Sequence, residues 1–225
     1  MKYRLKCVLL LAGGLTLSSS GWAAELTRGA MLGNTCAGCH GTDGVSQGIA
    51  TPSLAGKSVD TIKEAMLAYQ KGDRASTIMG RLAKGYSEEE IIAMAEFFAQ
   101  QKYVPAKQKF DATKAKAGEK LHEKHCEKCH EENGKIDEDG TGILAGQWTP
   151  YLQYQFADFK AGDREMPKKM KTQMDKVLGQ DGDKRTEELL HFYASQQTGF
   201  DAAPKKDKKD KKAKDDDDDD DKGDK

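Results

Sequence analysis

At 225 residues the chain has room for one or two domains, and a net charge of −1 leaves no basic surplus for a nucleic-acid partner. Its 37% apolar content and mean hydropathy of −0.77 are low for one large core.

Residues 1–24 have the plan of a secretory signal. Lys2, Arg4 and Lys6 form a positive start, Cys7 to Leu17 a short apolar run, and Gly21-Trp22-Ala23-Ala24 a small-residue cleavage region. That run falls short of the roughly 20 residues that span a bilayer, and no other run in the chain approaches that length. Cys7 stands at the start of the apolar run, where a lipoprotein cysteine would not stand. The sequence therefore predicts an exported protein without a transmembrane anchor, placed in the periplasm.

A helix over Glu25 to Cys39 is expected to deliver Cys36-Ala37-Gly38-Cys39-His40, which recurs as Cys126-Glu127-Lys128-Cys129-His130. Each is a C-x-x-C-H, the attachment signature of a c-type haem. Two thiols three positions apart project from one turn onto the two vinyl groups of a porphyrin, and the next residue, a histidine, falls beneath the iron as proximal ligand. A zinc ribbon would leave both histidines coincidental and would not separate its ligand pairs by ninety positions. A thioredoxin-like motif needs a βαβ pattern that the chain lacks, and two structural disulfides would likewise leave the histidines unexplained. The two pentapeptides predict two covalently bound haems c, held by Cys36, Cys39, His40, Cys126, Cys129 and His130.

Gly41 to Pro52 reads as a glycine-rich loop beside a flat cofactor. Val59 to Gln70 carries Val59, Ile62, Ala65, Met66 and Tyr69 at helical spacing, and Ser87-Glu88-Glu89-Glu90 opens a helix over Ile91 to Gln101 with a capping box. The second half repeats the plan, with helices over Ala115 to Cys129, Tyr151 to Lys160 and Glu187 to Gln197. Leu54-Ala55-Gly56 and Gly72-Asp73-Arg74 return ninety positions later as Leu144-Ala145-Gly146 and Gly162-Asp163-Arg164. Neither half shows a period-two strand. The predicted fold is all-α, an internal repeat of two haem domains at 25–103 and 104–200. A lysine-rich linker over Lys102 to Lys116 joins them. Beyond Phe200, residues 201–225 form a Lys-rich stretch and then seven aspartates, predicted to be a disordered tail.

Methionine on the far side of each iron would give an electron-transfer site with a raised potential. Met79 stands in the loop before the last helix of the first half, where such a ligand belongs, whereas Met66 and Met94 read as core. In the second half the ninety-residue offset lands on Lys169. Met170 misses by one and is the favoured ligand, with Met166 the alternative, because Gly179 to Lys184 lengthen the loop and weaken the register. His122 and His125 read as surface residues and His191 as packing or exposed, each a minor alternative to methionine as a ligand. Trp148, Tyr151, Tyr154, Phe156 and Phe159 form an aromatic cluster expected to pack on haem and fill the interdomain seam.

Over Leu26 to Gln197 the chain resembles dihaem cytochromes of the c4 type, which carry two tandem class I cytochrome c domains with one C-x-x-C-H each. Five strings carry a closer likeness: Ala75-Ser76-Thr77-Ile78-Met79-Gly80-Arg81, Ala83-Lys84-Gly85-Tyr86-Ser87, Lys120-Leu121-His122 leading to the second motif, Ile143-Leu144-Ala145-Gly146-Gln147-Trp148-Thr149-Pro150-Tyr151-Leu152, and His191-Phe192-Tyr193-Ala194-Ser195-Gln196-Gln197. They are similar to the cytochrome subunits of flavocytochrome c sulfide dehydrogenases. The resemblance implies a flavoprotein partner that oxidises sulfide at an FAD and a disulfide, this chain as a non-catalytic electron-transfer subunit, and a soluble acceptor cytochrome. The charged tail departs from the family pattern. No G-x-G-x-x-G fingerprint and no spare cysteine pair occur, so flavin and reactive disulfide are expected on the partner. An independent c4-like carrier is the alternative function, and a dihaem peroxidase with one open iron is a more distant one.

Overall fold

The computed structural model describes residues 27–179 and 181–200; the predicted leader, with Cys7, and the charged tail lie outside them. In the first half the helices are α1 (Arg28–Asn34), α2 (Ala37–His40), α3 (Val59–Lys71), α4 (Met79–Leu82) and α5 (Glu88–Ala99). The second half has α6 (Ala112–His125), α7 (Glu131–Gly134), α8 (Thr149–Ala161), α9 (Lys168–Leu178) and α10 (Gly182–Ser195). No strand occurs among the described residues, where the isolated extended pairing is an antiparallel bridge between Arg74 and Arg164. The all-α expectation holds.

The helix starts follow local chemistry. Ser58 caps α3 by accepting from Thr61 N, and Ser87 and Glu90 close a reciprocal capping box on α5. Gly72 and Gly162, ninety positions apart, end α3 and α8 in the same left-handed conformation. The helix predicted over Glu25 to Cys39 divides at Thr35, whose hydroxyl donates to Leu32 O at 2.6 Å and draws the carbonyl out of the ladder. The helix predicted over Ala115 to Cys129 begins earlier, at an Asp111 cap, and stops before the cysteines.

Three helices escaped the sequence reading, the single turns α4 and α7 and the longer α9. Residues 168–178, expected as loop, form α9, which buries Met174 and Val177 against the second core. Gly182 to Lys184 likewise belong to the first turn of α10 rather than to a lengthened loop.

Each half has its own core. Ile62, Ile91, Met94, Ala95 and Phe98 form the first, with Leu32, Cys36 and Met66 packed on it. Leu152, Val177, Leu189, Leu190, Phe192 and Tyr193 form the second, joined by Cys126, Leu144 and Tyr151. Burying a side chain of this size contributes about 1.5–3 kcal/mol. The first helix of each half crosses the last one closely enough to demand glycine. A Cβ on Gly29 would lie 2.3 Å from Ala93 O, and one on Gly118 would lie 2.0 Å from Glu188 O.

The expected linker is not loose. Tyr103 Oη donates to Ala145 O at 3.0 Å and Ala106 N donates to Gly146 O at 2.7 Å, while Ala112 onward is already α6. Elsewhere along the seam Gln147 exchanges hydrogen bonds with the Ser53 backbone, and Trp148 Nε1 donates to Ser46 O at 3.0 Å. Asp137 accepts from Ser58 N, Ser58 Oγ, Thr61 Oγ1 and Gly142 N, so one carboxylate holds a first-half helix start and a second-half loop together. Of the aromatic cluster, Trp148 reaches the seam and Tyr151 and Phe156 pack on the second core, but Tyr154 is 58% exposed.

Candidate functional site

The two pentapeptides are each drawn into one turn. His40 N donates to Cys36 O and His130 N donates to Cys126 O, both at 2.9 Å, so each histidine sits directly beyond its cysteine pair. All four thiols are free, with Cys36 and Cys126 half-buried and Cys39 and Cys129 exposed. Burial pushes the Cys36 thiol up, and pushes Cys126 up to about 11. Such thiols stay protonated at neutral pH, which disfavours thiolate metal sites and rapid disulfide exchange. It leaves thioether formation, the C-x-x-C-H chemistry, as the use that fits.

The histidines are prepared as ligands to different degrees. His40 is 7% exposed, and its Nδ1 lies 2.9 Å from Pro52 O. A carbonyl can only accept, so Nδ1 carries the proton and Nε2 keeps its lone pair for a metal. Burial lowers the His40 pKa against the pull of that carbonyl. His130 is lowered further, to about 4, first by burial and then by nearby His122. Both rings are therefore neutral, as ligation requires.

His130 Nδ1, however, is buried without a hydrogen-bond partner. Gly142 stands where the first half has Pro52, at a φ of +73° that proline cannot adopt, and its N–H is turned toward Asp137. A buried ring nitrogen without a partner, next to the thiol pair of Cys126 and Cys129, fits a histidine whose second nitrogen awaits a ligand.

His122, read from the sequence as a surface residue, is completely buried. Its Nδ1 lies 3.0 Å from Tyr193 Oη, its Nε2 is hydrogen-bonded to Glu127, and its ring packs on Phe192. Gly33 takes the equivalent place against Phe97 in the first half. The available signal was the pair of buried small positions: Gly29 and Gly33 on α1 answer to Gly118 and His122 on α6. His125 is half-buried with its Nδ1 3.4 Å from Gln173 Oε1, and His191 accepts from Asp111 N at 3.0 Å through its Nδ1.

Met79 is half-buried at the first residue of α4, which packs on α3. Met166 lies two residues before α9 and Met170 within its first turn, both half-buried, while Met174 is core. Met66 and Met94 are in the first core as expected.

The cytochrome c family model matches residues 26–102. The chain is 46% identical over 97 residues to the cytochrome subunit of sulfide dehydrogenase from Chlorobaculum tepidum, an alignment covering 40% of this chain and 87% of the relative. The chain belongs to the cytochrome c family. The cofactor of that family is covalently bound haem c. A cytochrome c4 of Pseudomonas aeruginosa is 29% identical over 170 residues, covering 72% of this chain and 83% of the relative. The crystal structure of reduced recombinant cytochrome c4 from Pseudomonas stutzeri superposes with a TM-score of 0.60 at 25% identity, over 75% of this chain and 97% of that one. The fold is thus the tandem of class I cytochrome c domains. Among the described residues no helix is long and apolar enough to cross a membrane.

Proposed function

We propose that this chain is the dihaem electron-transfer subunit of a sulfide-oxidising flavoprotein complex, taking electrons from a flavin on the partner and passing them to an acceptor cytochrome. The observation that carries the reading is the 46% identity to a cytochrome subunit of sulfide dehydrogenase, in a chain that has two complete C-x-x-C-H turns. One haem would be held by Cys36, Cys39 and His40 in a domain at 25–103. The other would be held by Cys126, Cys129 and His130 in a domain at 104–200. We assign Met79 and Met170 as sixth ligands, with Met166 the alternative to Met170. The leader would direct the chain to the periplasm.

When bound, haem supplies a one-electron couple whose potential the protein sets through ligand type, burial and hydrogen bonding. The chain's own role is to hold the ligands still. Pro52 O fixes the His40 tautomer and ring plane, so the ligand keeps one orientation in both redox states. The cores packed on Cys36 and Cys126 keep water from the attachment edge.

The match to cytochrome c4 along 72% of the chain favours a second reading, a free carrier with the same haems and no flavoprotein. Mild purification of the native protein, flavin-to-haem analysis and sulfide addition separate the two. Co-purifying flavin with rapid haem reduction is the expected result. A flavin-free dihaem protein that sulfide reduces only slowly would establish the carrier.

A further inference from the structure

The surroundings of the two attachment turns differ in a set of residues that belong together. Where the first half has Pro52, whose carbonyl orients His40, the second has Gly142, and the ring nitrogen of His130 is left without a partner. Where the first half has Gly33, Phe98 and Ala37, the second has His122, Tyr193 and Glu127, three polar residues that meet one another. One hydrogen bond to the proximal ring is lost, and a buried polar chain beside the same turn is gained.

The ends of that chain assign its protons. Glu127 Oε2 accepts from Asn133 N at 3.2 Å and is hydrogen-bonded to His122 Nε2. A carboxylate only accepts, so Nε2 carries the ring proton. Burial holds the ring neutral, which leaves Nδ1 to accept from the Tyr193 hydroxyl at 3.0 Å. Each member of this chain has its partner, the condition under which a buried polar network stiffens its surroundings instead of weakening them.

The chain encloses the second motif. Glu127 is the residue after Cys126, and Asn133 lies three positions beyond His130, so the shared carboxylate oxygen ties the two flanks of the histidine together. The backbone of His130 is itself among the groups that act on the His122 ring. Glu132 and Asn133 both adopt left-handed backbone, at φ of +51° and +63°, a costly conformation for residues with a Cβ. That turn directs the Asn133 N–H back at Glu127. In the first half only Asp43 of the corresponding pair is left-handed, and Ala37 offers no acceptor. On its other side His122 is anchored through Tyr193 to α10, in the core cluster on which Cys126 packs.

Resting on the two-haem reading above, we propose that Glu127, His122 and Tyr193 are positioning residues for the second haem: they brace the backbone turn that carries His130, in place of the hydrogen bond that Pro52 makes to the His40 ring. One proximal ligand is held by its ring and the other by its turn. Without the brace the turn and its imidazole loosen, and weaker imidazole ligation disfavours ferric iron more than ferrous.

The test uses the haem-loaded full chain. Haem content is measured first, then both potentials by spectroelectrochemical titration and the low-spin ferric signals by electron paramagnetic resonance. The second haem is identified as the one that remains in Cys39→Ser. The variants are Glu127→Ala, His122→Leu, Tyr193→Phe and the conservative Glu127→Gln, whose amide oxygen still accepts. Glu127→Ala and His122→Leu should each shift the second haem's reduced-to-oxidised ratio at fixed potential toward reduced by roughly tenfold, about 59 mV for a one-electron couple. The ferric signal of that haem should change with it, and the first haem should keep both its potential and its signal. Tyr193→Phe should act in the same direction more weakly, and Glu127→Gln should recover most of the wild-type potential. Adding Tyr193→Phe to His122→Leu should restore stability without restoring the potential, which separates a role toward the haem from one in packing. Two haems per chain with the second potential and signal unmoved would overturn the brace and leave the dihaem reading standing, as would equal shifts of both haems. One haem per wild-type chain would overturn both. Should the alanine and leucine variants lose the second haem, Tyr193→Phe decides, since it removes a single oxygen: a shift confined to that haem supports the brace, and an unmoved potential ends it.

Discussion

The two halves repeat one plan, yet they hold their proximal histidines differently. In the first, Pro52 gives its carbonyl to His40; in the second, Gly142 turns its peptide toward Asp137 and leaves His130 without that support. The second half also adds both members of a buried polar pair, His122 and Tyr193, where the first has Gly33 and Phe98. Adding both partners is nearly neutral, whereas adding one would leave a buried group unsatisfied. The loop that orders His40 in the first half has become, in its second copy, a piece of the joint between the halves.

The largest test of this comparison is to remove one attachment site. Cys39→Ser should halve the haem content of the purified chain, by pyridine haemochrome assay, and leave the Cys126–His130 site loaded. Retention of two full equivalents would break the assignment. Met79→Ala comes next: it should diminish the sulfur-to-iron band of the ferric protein and lower one potential, leaving the other to report the second half alone. Running Met170→Ala beside Met166→Ala then identifies the second sulfur ligand by the one that removes the remaining band.

Smaller effects sharpen the structural contrast. Gly118→Val must displace α10 backbone and should destabilise the second half by about 3 kcal/mol, read as a fall in its melting temperature. Asp137→Ala removes the acceptor shared by Ser58, Thr61 and Gly142 and should cost about 2 kcal/mol. It should also split a single melting transition into two, since the joint fails before either core. An unsplit, unshifted transition would show that this carboxylate does not hold the halves together.

His122 gives the finest distinction. Burial lowers its pKa, opposed by Glu127, so the folded chain holds it neutral while the unfolded chain protonates near pH 6.5. Stability from this group is therefore complete above about pH 6.5 and is lost as pH falls from there through the lower folded value. In the loaded chain His122→Leu should flatten the second half's melting temperature between pH 7 and 5. It should also cost about 1–2 kcal/mol at pH 7, because the Tyr193 hydroxyl loses its partner. Combining it with Tyr193→Phe should recover most of that loss.

Much of this molecule is readable from local spacing. The C-x-x-C-H turn, the α3 stripe and the capping box at Ser87 each depend on residues a few positions apart, and each is found as read. What escaped depends on distant partners. His122 hides among lysines and glutamates, and only Tyr193 and Phe192, seventy positions on, give it a reason to be buried. Helix α9 was masked by four lysines, although Met170, Met174 and Val177 do mark one face of it. The seam was unreadable because Ser53 and Gln147 reveal nothing of their pairing until the two halves meet.

The bridge between Arg74 and Arg164 has a consequence for how such a chain can diverge. A residue paired antiparallel with its own counterpart lies on a local twofold, the arrangement of an isologous homodimer. The chain is built like such a dimer with its two subunits spliced through 100–111. In a homodimer every substitution appears twice and must suit both environments. Splicing lifts that restriction, and Gly142, His122 and Tyr193 are changes that a symmetric ancestor could have made only in duplicate.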